Sequence, residues 1–468
     1  MGCGMAWCGK VMSTTRCLLL GLLLSAFAVH AAHAAEPDKA SETAAQRGFR
    51  LLTTKPYLPP DFDQEVFESL WKRWPKELRD QAEKATPAER RKLTFSRYGM
   101  VENPEHPGTG TALGYVDDGK GGWVMNCLSC HSGKVAGKAI LGVPNSLFAL
   151  TTLTEDVRLT KLTMGKPLSH MDLGMVSIPL GGSRGTTNSV IFGVALAAHR
   201  DKDLNVHTVP RPSNLLHHDL EPPPYWNVRH KTHIYADGFV PRSPRPLMQF
   251  MMVPQNNAAR LRSWESDFED VQAWIESLEP PKYPFAIDQS LADTGRAVFV
   301  KNCAKCHGTP GVEGSYPNKL VAIDEIQTDP VRLNSLTPEY RRFLSESWFG
   351  DYGKRDYVLD PQGYVAPPLD GVWASAPYLH NGSVPTLWHI LHPDERPVVW
   401  KRTEDGYDQA RGGLEVTTLE AVPDKTSGAE KREYFDTHLP GKSAAGHRFP
   451  EALSEAEKQA VLEYLKSI

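Results

Sequence analysis

Of seven cysteines in the chain, four stand in an arrangement that does chemistry. Cys127-Leu128-Ser129-Cys130-His131 and Cys303-Ala304-Lys305-Cys306-His307 are two C-x-x-C pairs, each followed at once by histidine. The two sulfurs of such a pair can add to the vinyl groups at one edge of a haem, and the adjacent imidazole then reaches the iron as proximal ligand. Three other readings compete. A thioredoxin-like redox pair needs a βαβ setting that the surrounding pattern lacks. A zinc site does not need the following histidines, and 176 residues separate Cys127 from Cys303. Two disulfides are the ordinary expectation for an exported protein with four cysteines. Covalent haem c accounts for all six residues: Cys127, Cys130, Cys303 and Cys306 as attachment points, His131 and His307 as iron ligands.

The compartment agrees with that chemistry. Arg16 precedes an apolar run over Cys17–Val29, and Ala32-His33-Ala34 follows with the small-x-small cleavage pattern. Residues 1–34 therefore read as a signal peptide, and the product as periplasmic or secreted. The run is short for a membrane span of about 20 residues, and no later stretch is apolar enough to cross one. Cys3, Cys8 and Cys17 leave with the signal. Loss of Lys10 and Arg16 takes 52 basic residues to 50 against 56 acidic, a net charge of −6, which gives no footprint for nucleic acid.

The elements around the motifs repeat. Gly295, Phe299 and Cys303 recur at a four-residue interval, so a helix leads into the second motif. Two later segments, Phe268–Leu278 and Lys458–Ile468, each carry apolar residues at helical spacing, and their ends match residue by residue, with Trp274 against Tyr464. Glu279–Pro284 breaks the chain between them. Few stretches alternate with a period of two. An amphipathic helix before the motif and an aromatic-bearing helix after it resemble a class I cytochrome c domain. The expected fold is mainly α: two class I cytochrome c-like domains, each with one covalent haem c, plus long loop-rich connections that use many of the 37 prolines. The expected divisions are an extension over 35–100 with a helical stretch at Phe62–Ala85, a first haem domain over 101–284 and a second over 285–468.

Further motifs tie the chain to a family. Ala376-Pro377-Tyr378-Leu379-His380-Asn381-Gly382-Ser383-Val384-Pro385-Thr386-Leu387 resembles the signature of the second haem domain of bacterial di-haem cytochrome c peroxidases. Arg184–Asn188 and Tyr235-Ala236-Asp237-Gly238 resemble segments of their first domain. Cys130–Val135, Pro246–Phe250 and the tail Phe435–His447 are similar to the rubber-oxygenase-like branch. The resemblance implies a secreted haem oxidoreductase whose first haem activates peroxide or dioxygen and whose second handles electrons. It also implies a small electron-donor cytochrome or cupredoxin as partner. Calcium between the domains is a family property, and no distinctive ligand run for it stands in this sequence. An oxygenase acting on an apolar substrate and a non-enzymatic di-haem electron carrier are the alternatives.

Family peroxidases close the second haem with a methionine after the signature. Here Trp388-His389-Ile390-Leu391-His392 occupies that place, and no methionine follows anywhere. The resemblance therefore implies histidine as the substitute: His447 first, His392 second, His380 third. For the first haem, the resemblance implies that Phe250 lies over the iron. Asp237 and Tyr235, with His233 nearby, are the candidate catalytic groups. Ala236 stands where relatives carry an aromatic relay, so that role is absent or moves to Tyr235 or Trp226.

Overall fold

The computed structural model describes residues 42–108, 110–178, 180–207, 216–311 and 313–468; the signal peptide expected over residues 1–34 lies outside them. Four helices organise the two motifs. Helix α1 (Ala44–Thr54) starts with a reciprocal cap between Thr43 and Gln46, and crosses α2 (Glu265–Ser277). Helix α3 (Gln289–Asn302), capped by Asp288, crosses α4 (Glu455–Ser467), whose start is a reciprocal cap between Ser454 and Glu457. Such caps satisfy N–H groups that the first turn leaves without partners.

The two crossings use the same device. A Cβ on Gly48 would lie 2.0 Å from the carbonyl oxygen of Asp270, and one on Gly295 would lie 1.9 Å from that of Ala460. Only glycine lets the backbones approach so closely. Aromatic pairs flank each crossing, Phe49 with Trp274 at 5.4 Å and Phe299 with Tyr464 at 5.2 Å between ring centroids. Helix α1 thus belongs beside α2, although the sequence alone assigns its residues to an extension. The Phe62–Ala85 stretch is helical in three pieces, Gln64–Ser69, Leu70–Arg73 and Lys76–Lys84, divided at Pro75.

The expectation of a mainly α chain of two class I cytochrome c-like domains is corrected. Helix accounts for 43% and strand for 13%, in several small sheets, and a cytochrome c-like match, reported below, covers one short segment only. The sheets are antiparallel. One joins Phe62–Asp63, Gly122–Met125 and Tyr115–Asp117; another joins Gly413–Leu419, Val399–Asp408 and Tyr434–Asp436; three more are strand pairs. The strand at Val399 was illegible for a physical reason. Val399 and Trp400 are both buried, so the strand starts covered on both faces and lacks the alternation that marks a strand.

Burial falls into one large cluster running from Leu52 to Tyr357 and a second built on Phe299, Tyr378, Leu387, Val461 and Leu465. A small cluster of Val143, Trp226, Trp373 and Ala374 is separate from both. Among the described residues, no helix is long and apolar enough to cross a membrane.

Candidate haem sites

The first motif follows the strand Gly122–Met125, and the second continues α3. In the first, Cys127–Ser129 forms a single 3-10 turn capped by Asn126, whose amide also donates to Leu52 O at the end of α1 (3.1 Å). In the second, Cys303 continues α3, its N–H donating to Phe299 O (2.8 Å). Both motifs close alike: the N–H of His131 donates to Cys127 O and that of His307 to Cys303 O, each at 3.1 Å. Cys127, Cys130, Cys303 and Cys306 are free thiols in the structure.

The histidines carry the more informative geometry. His131 Nδ1 lies 3.0 Å from Pro223 O, and His307 Nδ1 lies 2.9 Å from Pro367 O. A carbonyl can only accept, so each Nδ1 bears the proton and each Nε2 keeps its lone pair. That is the tautomer a metal-bound histidine needs, fixed by a backbone acceptor on its far nitrogen. Burial holds His131 down at about 4 and pulls His307 below its ordinary value, so both rings stay neutral and able to ligate. The residues present therefore fit covalent haem c at both motifs: two free sulfurs, and one neutral imidazole with its outer nitrogen engaged.

The acceptors belong to a repeat that the sequence reading missed. Pro223 and Gly238 stand 15 residues apart, as do Pro367 and Gly382. Both glycines have positive φ (62° and 72°), and so do the residues three before them, Tyr235 (69°) and Leu379 (63°). The signal was legible in principle: a Pro-Pro pair followed at equal distance by Gly, once per motif.

The second site has a further imidazole. The His307 and His447 ring centroids lie 6.1 Å apart. If haem were bound at this motif, the two rings could hold its iron between them. His447 is held in a left-handed turn (φ 50°), its N–H donating to Ile326 O at 2.7 Å. Arg396 clamps the same turn through Ala444 O (2.6 Å) and Gly446 O (2.7 Å). Burial, with His307 and Arg396 nearby, holds His447 neutral at about 3. His392 is placed otherwise: its Nδ1 meets Trp388 O and its Nε2 meets the Glu455 carboxylate, both at 2.9 Å, so neither nitrogen is offered to a metal. His380 stacks on Tyr364 at 4.2 Å.

Around the first site, the ring stacked on His131 is Tyr225, at 4.0 Å and 14°. Phe250 is half-buried on the turn Met248–Met251 and packs against the large cluster. The Tyr235 hydroxyl accepts from Gln249 Nε2 at 2.5 Å, and its ring stacks on Phe239. Asp237 is not free for proton transfer. It is fully buried and lies 3.4 Å from Arg332 and 3.3 Å from Arg341. His233 Nε2 accepts no substrate proton either, since it meets Asp356 O at 2.9 Å. For calcium, no cluster of three or more His, Cys, Asp or Glu arranged to hold a metal is present among the described residues.

Comparison with known proteins meets this geometry in the second half. Residues 363–401 match the family described as RoxA-like, cytochrome c-like. That segment includes the Pro367 acceptor and the 376–387 motif. Two uncharacterized proteins of Sinorhizobium fredii are similar to the chain: y4iJ, 29% identical over 41% of this chain, and y4iM, 31% identical over 38% of it. The alignments span less than half of those relatives, 41% and 45%. Residues 363–401 are thus similar to a RoxA-like cytochrome c, a kind of segment that carries covalent haem c.

Proposed function

We propose that the chain is an extracytoplasmic c-type cytochrome oxidoreductase with two covalent haems of unequal role. The site of Cys127, Cys130 and His131 receives the oxidant, peroxide or dioxygen; the site of Cys303, Cys306 and His307, closed by His447, handles electrons from a small donor cytochrome or cupredoxin. The observation that carries this reading is an asymmetry between otherwise matched sites. Both proximal imidazoles are fixed on a proline carbonyl, yet among the described residues only His307 has a second histidine ring beside it, His447 at 6.1 Å.

Haem held by these cysteines and histidines would supply an iron able to take up and reduce an oxidant. The chain does the rest. Pro223 O and Pro367 O fix the imidazole tautomers and raise their basicity as ligands. Leu247, Phe250, Met251 and Met252 give the segment after Pro246 an apolar character. With Asp237 committed to two arginines, the nearest hydrogen-bonding pair of that segment is Tyr235 with Gln249. The apolar segment suits dioxygen beside an apolar substrate, whereas Glu221, buried near Cys130 with neither carboxylate oxygen hydrogen-bonded, is the group that acid–base cleavage of peroxide would use. Oxygenase chemistry is the second reading, and the RoxA-like segment supports it.

Peroxide addition to the oxidised protein, with a reduced small cytochrome as donor, tests the assignment. The expected result is loss of one haem signal, with the other unchanged. Catalytic oxidation of the donor then identifies a peroxidase; a ferrous–dioxygen spectrum stable without donor identifies the oxygenase. Two signals that neither peroxide nor dioxygen alters would refute the open site and leave an electron carrier.

A further inference from the structure

Two buried arginines share one buried carboxylate. Arg332 and Arg341 are each 2% exposed, and Asp237 reaches both through the same oxygen, Oδ2, at 3.4 and 3.3 Å. Arg332 Nη1 also donates to Ser335 Oγ at 2.9 Å. The Nε and Nη2 of Arg332 are buried and have no hydrogen-bond partner among the described residues. Leaving two N–H groups of a buried cation unanswered is costly. These two nitrogens form the edge of a guanidinium that grips a carboxylate with paired hydrogen bonds. The molecule uses that edge elsewhere: Arg47 holds Asp270 through Nε (2.9 Å) and Nη2 (2.8 Å), and Arg91 holds Glu102 through the same atoms at 3.1 and 3.0 Å. Burial alone does not leave an arginine so. Arg200, 1% exposed, spends Nε, Nη1 and Nη2 on the carbonyls of Met252, Leu204, Val253 and Asn256.

Arg332 stands where the segments that serve the two motifs meet. The Leu333 N–H donates to the Tyr364 hydroxyl at 3.1 Å, and Tyr364 lies three residues before Pro367, the acceptor of His307. The Val365 N–H donates to Ala236 O at 2.8 Å, which ties the segment of Asp237 to the same strand. His380, stacked on Tyr364, is held neutral at about 3 by burial with Arg332 nearby. The His380 carbonyl accepts from the Glu221 N–H at 3.0 Å, two residues before Pro223, the acceptor of His131.

We propose that Arg332 binds a haem propionate through its Nε and Nη2. This rests on the haem reading above. Haem c attached at either motif brings carboxylates that the sequence does not supply, and Arg332 lies among the segments that carry both proline acceptors. The ligand chemistry is a carboxylate, and the two motifs are its two sources. A fixed cation beside a haem also favours the reduced iron, which carries one positive charge fewer.

The test counts haem first, as pyridine haemochromogen. A chain without haem would refute the haem reading and this assignment with it. Resonance Raman excited in the Soret band then reads the propionate bending mode, which follows the hydrogen bonds at the carboxylate. Arg332→Lys keeps the charge and loses the paired donors; Arg332→Gln loses both. Each should shift the propionate band of one haem, and Arg332→Gln should also lower that haem's midpoint potential in spectroelectrochemistry. Arg332→Lys serves if Arg332→Gln does not fold. Arg91→Gln, which loses the same paired donors at Glu102, should move neither band nor potential. Arg332→Lys combined with Cys127→Ala and with Cys303→Ala names the source, because the shift persists where the bound haem is kept and is absent where it is lost. Unmoved propionate bands in a folded, haem-loaded Arg332 variant would overturn the proposal. So would an equal shift in Arg91→Gln, which would mark a general loosening of the fold.

Discussion

An alanine at Gly295 is the sharpest perturbation of the scaffold under the second motif. Its Cβ would lie 1.9 Å from Ala460 O and 3.0 Å from Tyr464 Cβ, while ordinary contact begins at 3.4 Å, so α3 and α4 must part by about 1.5 Å. The obstacle is backbone, which cannot rotate aside. Parting the helices loosens Phe299 against Tyr464, Val461 and Leu465, all buried. Overpacking of this kind costs about 1–3 kcal/mol, with the upper end expected here. For one compact unit over residues 43–468 that is a fall in melting temperature of roughly 1–3 °C. Because Cys303 continues α3, the variant should also broaden the Soret band of the second site. The assay is thermal unfolding followed by far-ultraviolet circular dichroism and by the Soret band together. Gly428→Ala is the control: a Cβ there meets nothing within 4 Å, so stability should hold or rise slightly. Equal stability of Gly295→Ala and Gly428→Ala would refute the argument from close approach.

Two other outcomes are expected. Burial raises the Asp61 carboxyl to about 7 from an ordinary 3.8, so the folded state holds a proton that the unfolded state releases. Stability from this group is complete below pH 4 and is lost as pH rises through 7; Asp61→Asn should therefore equal wild type near pH 4 and exceed it by about 2–4 kcal/mol at pH 8. Urea unfolding at the two values checks it, and a gap that does not widen with pH would contradict it. Asp237→Asn leaves the buried Arg332 and Arg341 without a counter-charge, and unfolding should show a loss of about 3–5 kcal/mol; a neutral effect would mean that Asp237 is not their counter-ion.

The chemistry was legible in the sequence because covalent attachment demands a fixed local spacing. Cys127, Cys130, His131 and their counterparts at 303–307 stand out on that spacing alone, as did the matched ends of α2 and α4. Contacts made at long range gave the sequence no physical signal. The resemblance ranked His447 before His392, and packing supplies the reason: one faces His307, the other is claimed by Trp388 O and Glu455. Asp237 read as an acid because its two arginines lie 95 and 104 residues away. The fold class failed for a related reason. Short strands buried on both faces, such as the start of Val399–Asp408, carry no alternation, and a helix of eleven residues at Ala44–Thr54 declared its role only when Gly48 met Asp270.

The most direct test of the central claim, two haems closed unequally, is low-temperature EPR of the oxidised protein alongside a haem count. Two haems per chain are expected, falling to one in Cys127→Ala and in Cys303→Ala. A low-spin bis-imidazole signal should disappear in His447→Ala and survive in His392→Ala. One haem per chain, or a low-spin signal untouched by His447→Ala, would contradict the account.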